Sequence, residues 1–146
     1  MLIPEILATL ACGIFAGAAL YINLVEHPAR LSCGVASAIT EWKPSYKRGA
    51  TMQATLALAG SLFALISWWN AKQPVWLLGG AALFAVIPFT LIVILPTNKE
   101  LQSDDLDVSS ARAELLLRRW SDLHAVRSVL AIVAFLIFLY ALQLKS

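Results

Sequence analysis

Four predominantly apolar stretches, each about 20 residues long, constrain this chain more than any other feature. They run from about Ile3 to Val25, Ala50 to Trp69, Val75 to Leu95 and Ala125 to Leu144. A bilayer's hydrocarbon core is about 30 Å thick and a helix rises about 1.5 Å per residue, so each stretch is long enough to cross it. Backbone polar groups in lipid must be satisfied within the segment, which selects helices over strands. The expected fold is therefore all-α, an integral membrane four-helix bundle forming a single domain over residues 1–146.

Composition narrows the function classes. The chain is 60% hydrophobic and 14% charged, whereas a soluble domain carries about 25% charged residues. A protein of 146 residues has too little interior to hide that apolar surplus. Soluble enzymes and disordered tails fit poorly. Eleven Lys and Arg against nine Asp and Glu give +2, too balanced for a phosphate-binding surface, so no nucleic-acid partner is expected. Cys12 and Cys33 cannot build a disulfide scaffold and read as free thiols. The start Met1-Leu2-Ile3-Pro4-Glu5 lacks the basic residues of a signal peptide. The first stretch is expected to be a retained span.

Charge placement gives an orientation. The first and third connections carry Arg30, Lys43, Lys47, Arg48, Lys99, Arg112, Arg118, Arg119 and Arg127; the opposite side carries Lys72 and Lys145. By the positive-inside rule both long connections face the cytoplasm and both termini face out, in what is expected to be a bacterial inner membrane. Trp68, Trp69 and Trp76 flank the short outer turn as an interfacial belt would.

The connections have features of their own. Leu31, Val35, Ile39 and Trp42 recur at helical spacing, predicting a short amphipathic helix on the inner membrane surface from Ala29 to Trp42, ended by Pro44. From Asn98 to Ser110 the chain reads as a solvated loop, with Asp104, Asp105 and Asp107 off the spacing of a calcium site. Ser109 or Ser110 is placed to cap a helix that runs unbroken into the fourth span. Pro88 is expected to kink the third.

Polar residues in a membrane protein carry most of its functional information, because burying them is costly. Here they gather at one depth. Asn23, Glu26 and His27 share a face at the end of span one. Gln53 lies near the start of span two, and Asn98 closes span three. Trp120, His124 and Arg127 open span four on one face.

The phrase Glu26-His27-Pro28-Ala29-Arg30, the Pro96-Thr97-Asn98 closing the third helix, and the Trp120-xxx-His124-xx-Arg127 opening the fourth resemble the anthrone oxygenase-like family of small four-helix membrane proteins. The resemblance runs along the whole chain in order and spacing. It implies oxidation of polycyclic anthrones to anthraquinones by molecular oxygen, without a recognised cofactor motif; for many members the substrate is unassigned, so fold transfers better than activity.

An anthrone has an acidic carbon between two aryl rings, and the carbanion left by a base can react with oxygen directly. His27 or His124 is the natural base. Glu26 would orient an imidazole, while Arg127 or Asn98 would stabilise an oxyanion. Tyr21, Trp42 and Trp120 would wall a flat lipophilic substrate entering from the lipid, with Asn23 and Gln53 as polar contacts.

Two other classes remain open. His27 and His124 could be axial ligands of a haem, or with Glu26 hold a transition metal, although no cofactor leads. The chain could also be an accessory subunit in a larger membrane complex or a homo-oligomer, using the small strip Gly13, Ala16 and Gly17, which serves intrachain packing equally well. Each site residue also has a plainer role: a Glu26–Arg127 ion pair, His27 and Asn98 as helix-end groups, and Trp42 and Trp120 in the belt. No phosphate loop, Gly-x-Ser-x-Gly or His-Glu-x-x-His is present. Nor does any span carry the mid-bilayer charges of a transporter.

Overall fold

A computed structural model describes residues 3–144. Met1, Leu2 and the outer charge Lys145 fall outside the described residues. Four long helices account for nearly all of the rest: α1 (Ile3–Ser32), α2 (Val35–Ala71), α3 (Pro74–Gln102) and α4 (Ala111–Gln143). No strand occurs among the described residues, and all four helices are long and apolar enough to cross a membrane. Each packs on its neighbours in sequence, and α4 closes the ring against α1.

The chain reverses sharply twice. Between α1 and α2, Gly34 takes φ 92°, a conformation that a side chain would strain. Between α2 and α3, Lys72 is left-handed and its N–H bonds the Trp68 carbonyl at 2.7 Å. The Lys72 ammonium sits 4.0 Å from the Trp69 ring centroid, so the cation rests on an aromatic face at the bundle's end.

The separate amphipathic helix from Ala29 to Trp42 is not what forms. α1 continues to Ser32, the break falls at Cys33 and Gly34, and Val35–Trp42 is the first part of α2, which passes straight through Pro44. Pro44 deprives the Thr40 carbonyl of its helical partner, but both residues are exposed, where solvent can satisfy that carbonyl. On the opposite face Ala38, Ile39 and Trp42 are buried with Leu116, Leu117 and Trp120 of α4. Packing on that side holds the helix through the proline. At 37 and 33 residues, α2 and α4 reach about 50–55 Å and extend together past the apolar core.

The third connection is shorter than expected, because α3 stays helical to Gln102 with Thr97, Asn98 and Leu101 buried. The loop proper is 103–110. Ser110 caps α4 as the sequence suggests, accepting the Ala113 N–H at 3.2 Å, and the helix is continuous into the fourth span. Within the loop, Asp107 accepts the backbone N–H and hydroxyl of Ser109 at 2.9 and 2.7 Å. These bonds hold its carboxyl below the usual carboxylate range.

Two π-helical segments interrupt the spans, Ile22–Glu26 in α1 and Thr90–Ile94 in α3. The second follows Pro88, where the sequence suggested a kink. Each ends two residues before a proline, Pro28 or Pro96, and each is closed by an N–H that reaches five residues back, His27 to Ile22 and Leu95 to Thr90. The widened turn rephases the side chains that follow it.

Apolar burial falls into two clusters. One, around Cys12, Phe15, Leu83 and Phe138, fills the half of the bundle towards the α2–α3 turn. There Trp76 is fully buried and stacked on Phe138 at 5.5 Å; it is a core residue rather than a member of the belt. Gly79 makes room for it, since a β-carbon there would stand 2.5 Å from Phe138. Gly13 similarly admits Phe135 of α4, so this part of the small strip packs within the chain. The second cluster is the Trp42–Leu117–Trp120 group. Along α1, α2 and α4 a polar layer separates the two.

Candidate functional site

The layer is built by local periodicity. His124, Arg127 and Ser128 stand at i, i+3 and i+4 on α4, all buried. Asn23 lies in the π segment of α1, and Gln53 sits one turn before the buried Ala57 on α2. Bulk solvent does not reach these groups in an apolar bundle, so leaving them unpaired is costly.

Most of them are paired. His124 Nδ1 lies 2.7 Å from Asn23 Oδ1, which also accepts the Ser128 hydroxyl at 2.6 Å, while Asn23 Nδ2 donates to the Ser121 carbonyl at 3.2 Å. An amide oxygen can only accept, so the imidazole must carry its proton on Nδ1. Nε2 is left as the basic nitrogen. On the next turn Arg127 Nη2 donates to Gln53 Oε1 at 2.6 Å, and the guanidinium carbon stands 5.6 Å from the centre of the Phe15 ring. Arg127 Nε and Gln53 Nε2 remain buried without partners.

His27 shares the layer in a different state. Its Nε2 lies 3.2 Å from the Leu117 carbonyl, which can only accept, and its Nδ1 faces Arg30 Nη1 at 3.4 Å. Both nitrogens are occupied. Glu26 does not reach the imidazole or Arg127. It is paired with Arg30, accepts the Ser45 hydroxyl at 2.8 Å, and shares Arg30 with Glu41. The Glu26–Arg127 ion pair allowed by the sequence does not form, because Arg30 takes one partner and Gln53 the other.

Aromatic rings close the layer towards the loops. Trp120 lies between the histidines, 5.1 Å from the His27 ring and 4.9 Å from that of His124. Trp42 meets Trp120 edge-on at 5.7 Å and stacks on Tyr46 at 4.9 Å. Asn98 donates to the Tyr46 hydroxyl at 3.0 Å. Tyr21 stays outside, 55% exposed on the surface of α1.

With Trp120 against both rings and Glu26 held by Arg30, the residues do not form the two-histidine, one-carboxylate set considered above. No group of three or more His, Cys, Asp or Glu side chains placed to hold a metal occurs among the described residues.

Two cavities meet this layer. One, of about 30 Å³, is bounded by Glu26, Arg30, Trp42, Trp120, His124 and Arg127 among others, enough for a molecule the size of water. The other, of about 160 Å³, lies between α2 and α3 and shares Tyr46, Ala50, Gln53 and Arg127 with the first. Arg30, Ser45, Tyr46 and Ser128 were not among the site residues expected from sequence. Ser128 was findable, one turn after His124; Arg30 stands in the Glu26-His27-Pro28-Ala29-Arg30 phrase and among the orienting charges, but neither gave it a place in the site.

Comparison with known proteins places the chain in a family. Residues 42–137, well over half of the chain, match the family described as anthrone oxygenase. The match spans Gln53, Asn98, Trp120, His124 and Arg127. An anthrone oxygenase of Claviceps purpurea (strain 20.1) is 24% identical over 136 residues, covering 83% of this chain and 78% of that protein. No solved structure matches. The chain belongs to the anthrone oxygenase family.

Proposed function

We propose that this protein is a membrane-embedded oxidoreductase that oxidises a lipophilic aromatic substrate with molecular oxygen in the polar layer. The observation that carries this reading is the Asn23–His124 pair, which leaves a neutral imidazole with a basic Nε2 beside a buried guanidinium. A base oriented by a second side chain and facing a cationic oxyanion partner is the arrangement that proton abstraction beside a carbonyl requires.

His124 Nε2 takes a proton from the carbon between the aryl rings, and Arg127 stabilises the enolate oxygen. The carbanion adds dioxygen to form a hydroperoxide. Loss of water from it leaves the second carbonyl. The CH2 group and O2 become C=O and H2O, so atoms and electrons balance without a further reductant. The nine basic residues around the long connections support placing this end of the bundle on the cytoplasmic side.

The test is oxygen uptake and anthraquinone formation from anthrone, using the purified protein in lipid nanodiscs. The wild type should turn over, and His124→Ala should lose roughly 10²- to 10⁴-fold. Equal turnover by His124→Ala and wild type would sink the proposed base.

A further inference from the structure

The cavity between α2 and α3 has three properties that ordinary helix packing does not explain. Its mouth lies between Ala54 and Leu91, both exposed on the outer surface of apolar spans. Its α2 wall is a run of small side chains, Ala50, Ala54 and Ala57, facing Val86, Ile87 and Thr90 beside the π segment of α3. Its inner end reaches Gln53 and Arg127, 2% and 7% exposed, each with an N–H that lacks a partner. An unpaired buried donor is costly, and an acyl chain filling the cavity could not satisfy either.

We infer that this cavity is the substrate site, loaded sideways from the bilayer, and that it takes a flat aromatic molecule with its oxygen against Arg127 Nε and Gln53 Nε2. This deepens the oxidoreductase reading by assigning where the substrate binds and from which phase it comes. The alanine wall sets the thickness of the slot, and the two donors select for an acceptor oxygen at its inner end. The smaller cavity beyond, walled by His124 and Trp120, shares the Gln53–Arg127 pair as a common wall.

The groove farther along the same helix pair provides an internal control. It is lined by Leu58, Leu62, Leu65, Leu77 and Phe84 among others, with no charged side chain. A ligand held only by apolar contact would use either groove.

The experiment measures saturable binding of 2-naphthol and of naphthalene by probe fluorescence, in protein nanodiscs corrected for empty discs. Wild type should prefer 2-naphthol at least tenfold, and Gln53→Leu should remove most of that preference. Ala54→Phe, on an exposed face where the fold tolerates it, should weaken 2-naphthol binding at least tenfold. Ala81→Phe, which fills the control groove, should leave binding unchanged. Wild-type affinity in Ala54→Phe, equal binding of the two probes, or no saturable binding would each overturn the inference. Binding as expected with no oxidation of anthrone would leave the lateral site standing and remove the oxidoreductase reading.

Discussion

Asn23 fixes the tautomer of His124 across 101 positions of sequence, through a 2.7 Å contact that only an Nδ1–H can make. His27, with its Nε2–H on the Leu117 carbonyl and Arg30 at its other nitrogen, has no such freedom. The two histidines of the chain are therefore unequal.

Their inequality predicts a split in variant kinetics. Asn23→Ala should lower kcat by roughly 10²-fold with a small change in KM, because substrate still binds while the base loses its orientation. His27→Gln, which keeps a donor for Leu117, should lower kcat by less than tenfold. Anthrone oxidation by both variants checks the assignment; the reverse ranking would transfer the base to His27.

Arg30 ties Glu26, Glu41, Ser45 and His27 to one guanidinium, 3% exposed in its side chain. Removing one partner of a buried pair costs about 3–5 kcal/mol, discounted here because Glu26 and Glu41 are partly solvated. Arg30→Met should destabilise by about 2 kcal/mol, and adding Glu26→Gln should recover part of that loss. Thermal unfolding in detergent reads both.

Gly79→Ala places a β-carbon against Phe138 and Ile137, and overpacking of this kind costs about 1–3 kcal/mol. Gly17→Ala meets nothing within 4 Å and should be neutral or slightly stabilising. Adding Phe138→Leu should relieve Gly79→Ala alone. Melting temperatures of the four variants decide it.

The Asp107 carboxyl is held low by the Ser109 hydroxyl and backbone N–H. A lowered folded-state value stabilises the loop above about pH 4, and the effect is lost as acid protonates the carboxylate. Ser109→Ala should move the Asp107 titration upwards. An NMR titration of the Asp107 side chain measures the shift.

Much of the fold was legible because a lipid solvent leaves few solutions for a long apolar segment. Spans, the Ser110 cap and the unbroken α4 all followed from length, periodicity and capping chemistry. Pro44 misled because its effect depends on which face it occupies, and only packing against Leu117 and Trp120 shows that the face is the exposed one. Trp76 misled for a similar reason, since a belt residue and a core residue look alike until Gly79 and Phe138 are placed around it. The site was legible as a set of residues at one depth. Its pairing was not, because the sequence offered Glu26 to Arg127, whereas in the fold Arg30 holds Glu26 and Gln53 takes Arg127.

The polar layer also bears on how the chain is made. The tight turn at Gly34 makes α1 and α2 one hairpin, and the turn into α4 makes α3 and α4 another. Asn23 and Gln53 belong to the first hairpin; His124, Arg127 and Ser128 belong to the second. Asn23 meets His124, and Gln53 meets Arg127, only across the two hairpins, so a newly inserted first half presents an amide pair to lipid until the second half arrives. The groups that build the polar layer are thus the same groups that make an unfinished bundle unstable and drive its two halves together.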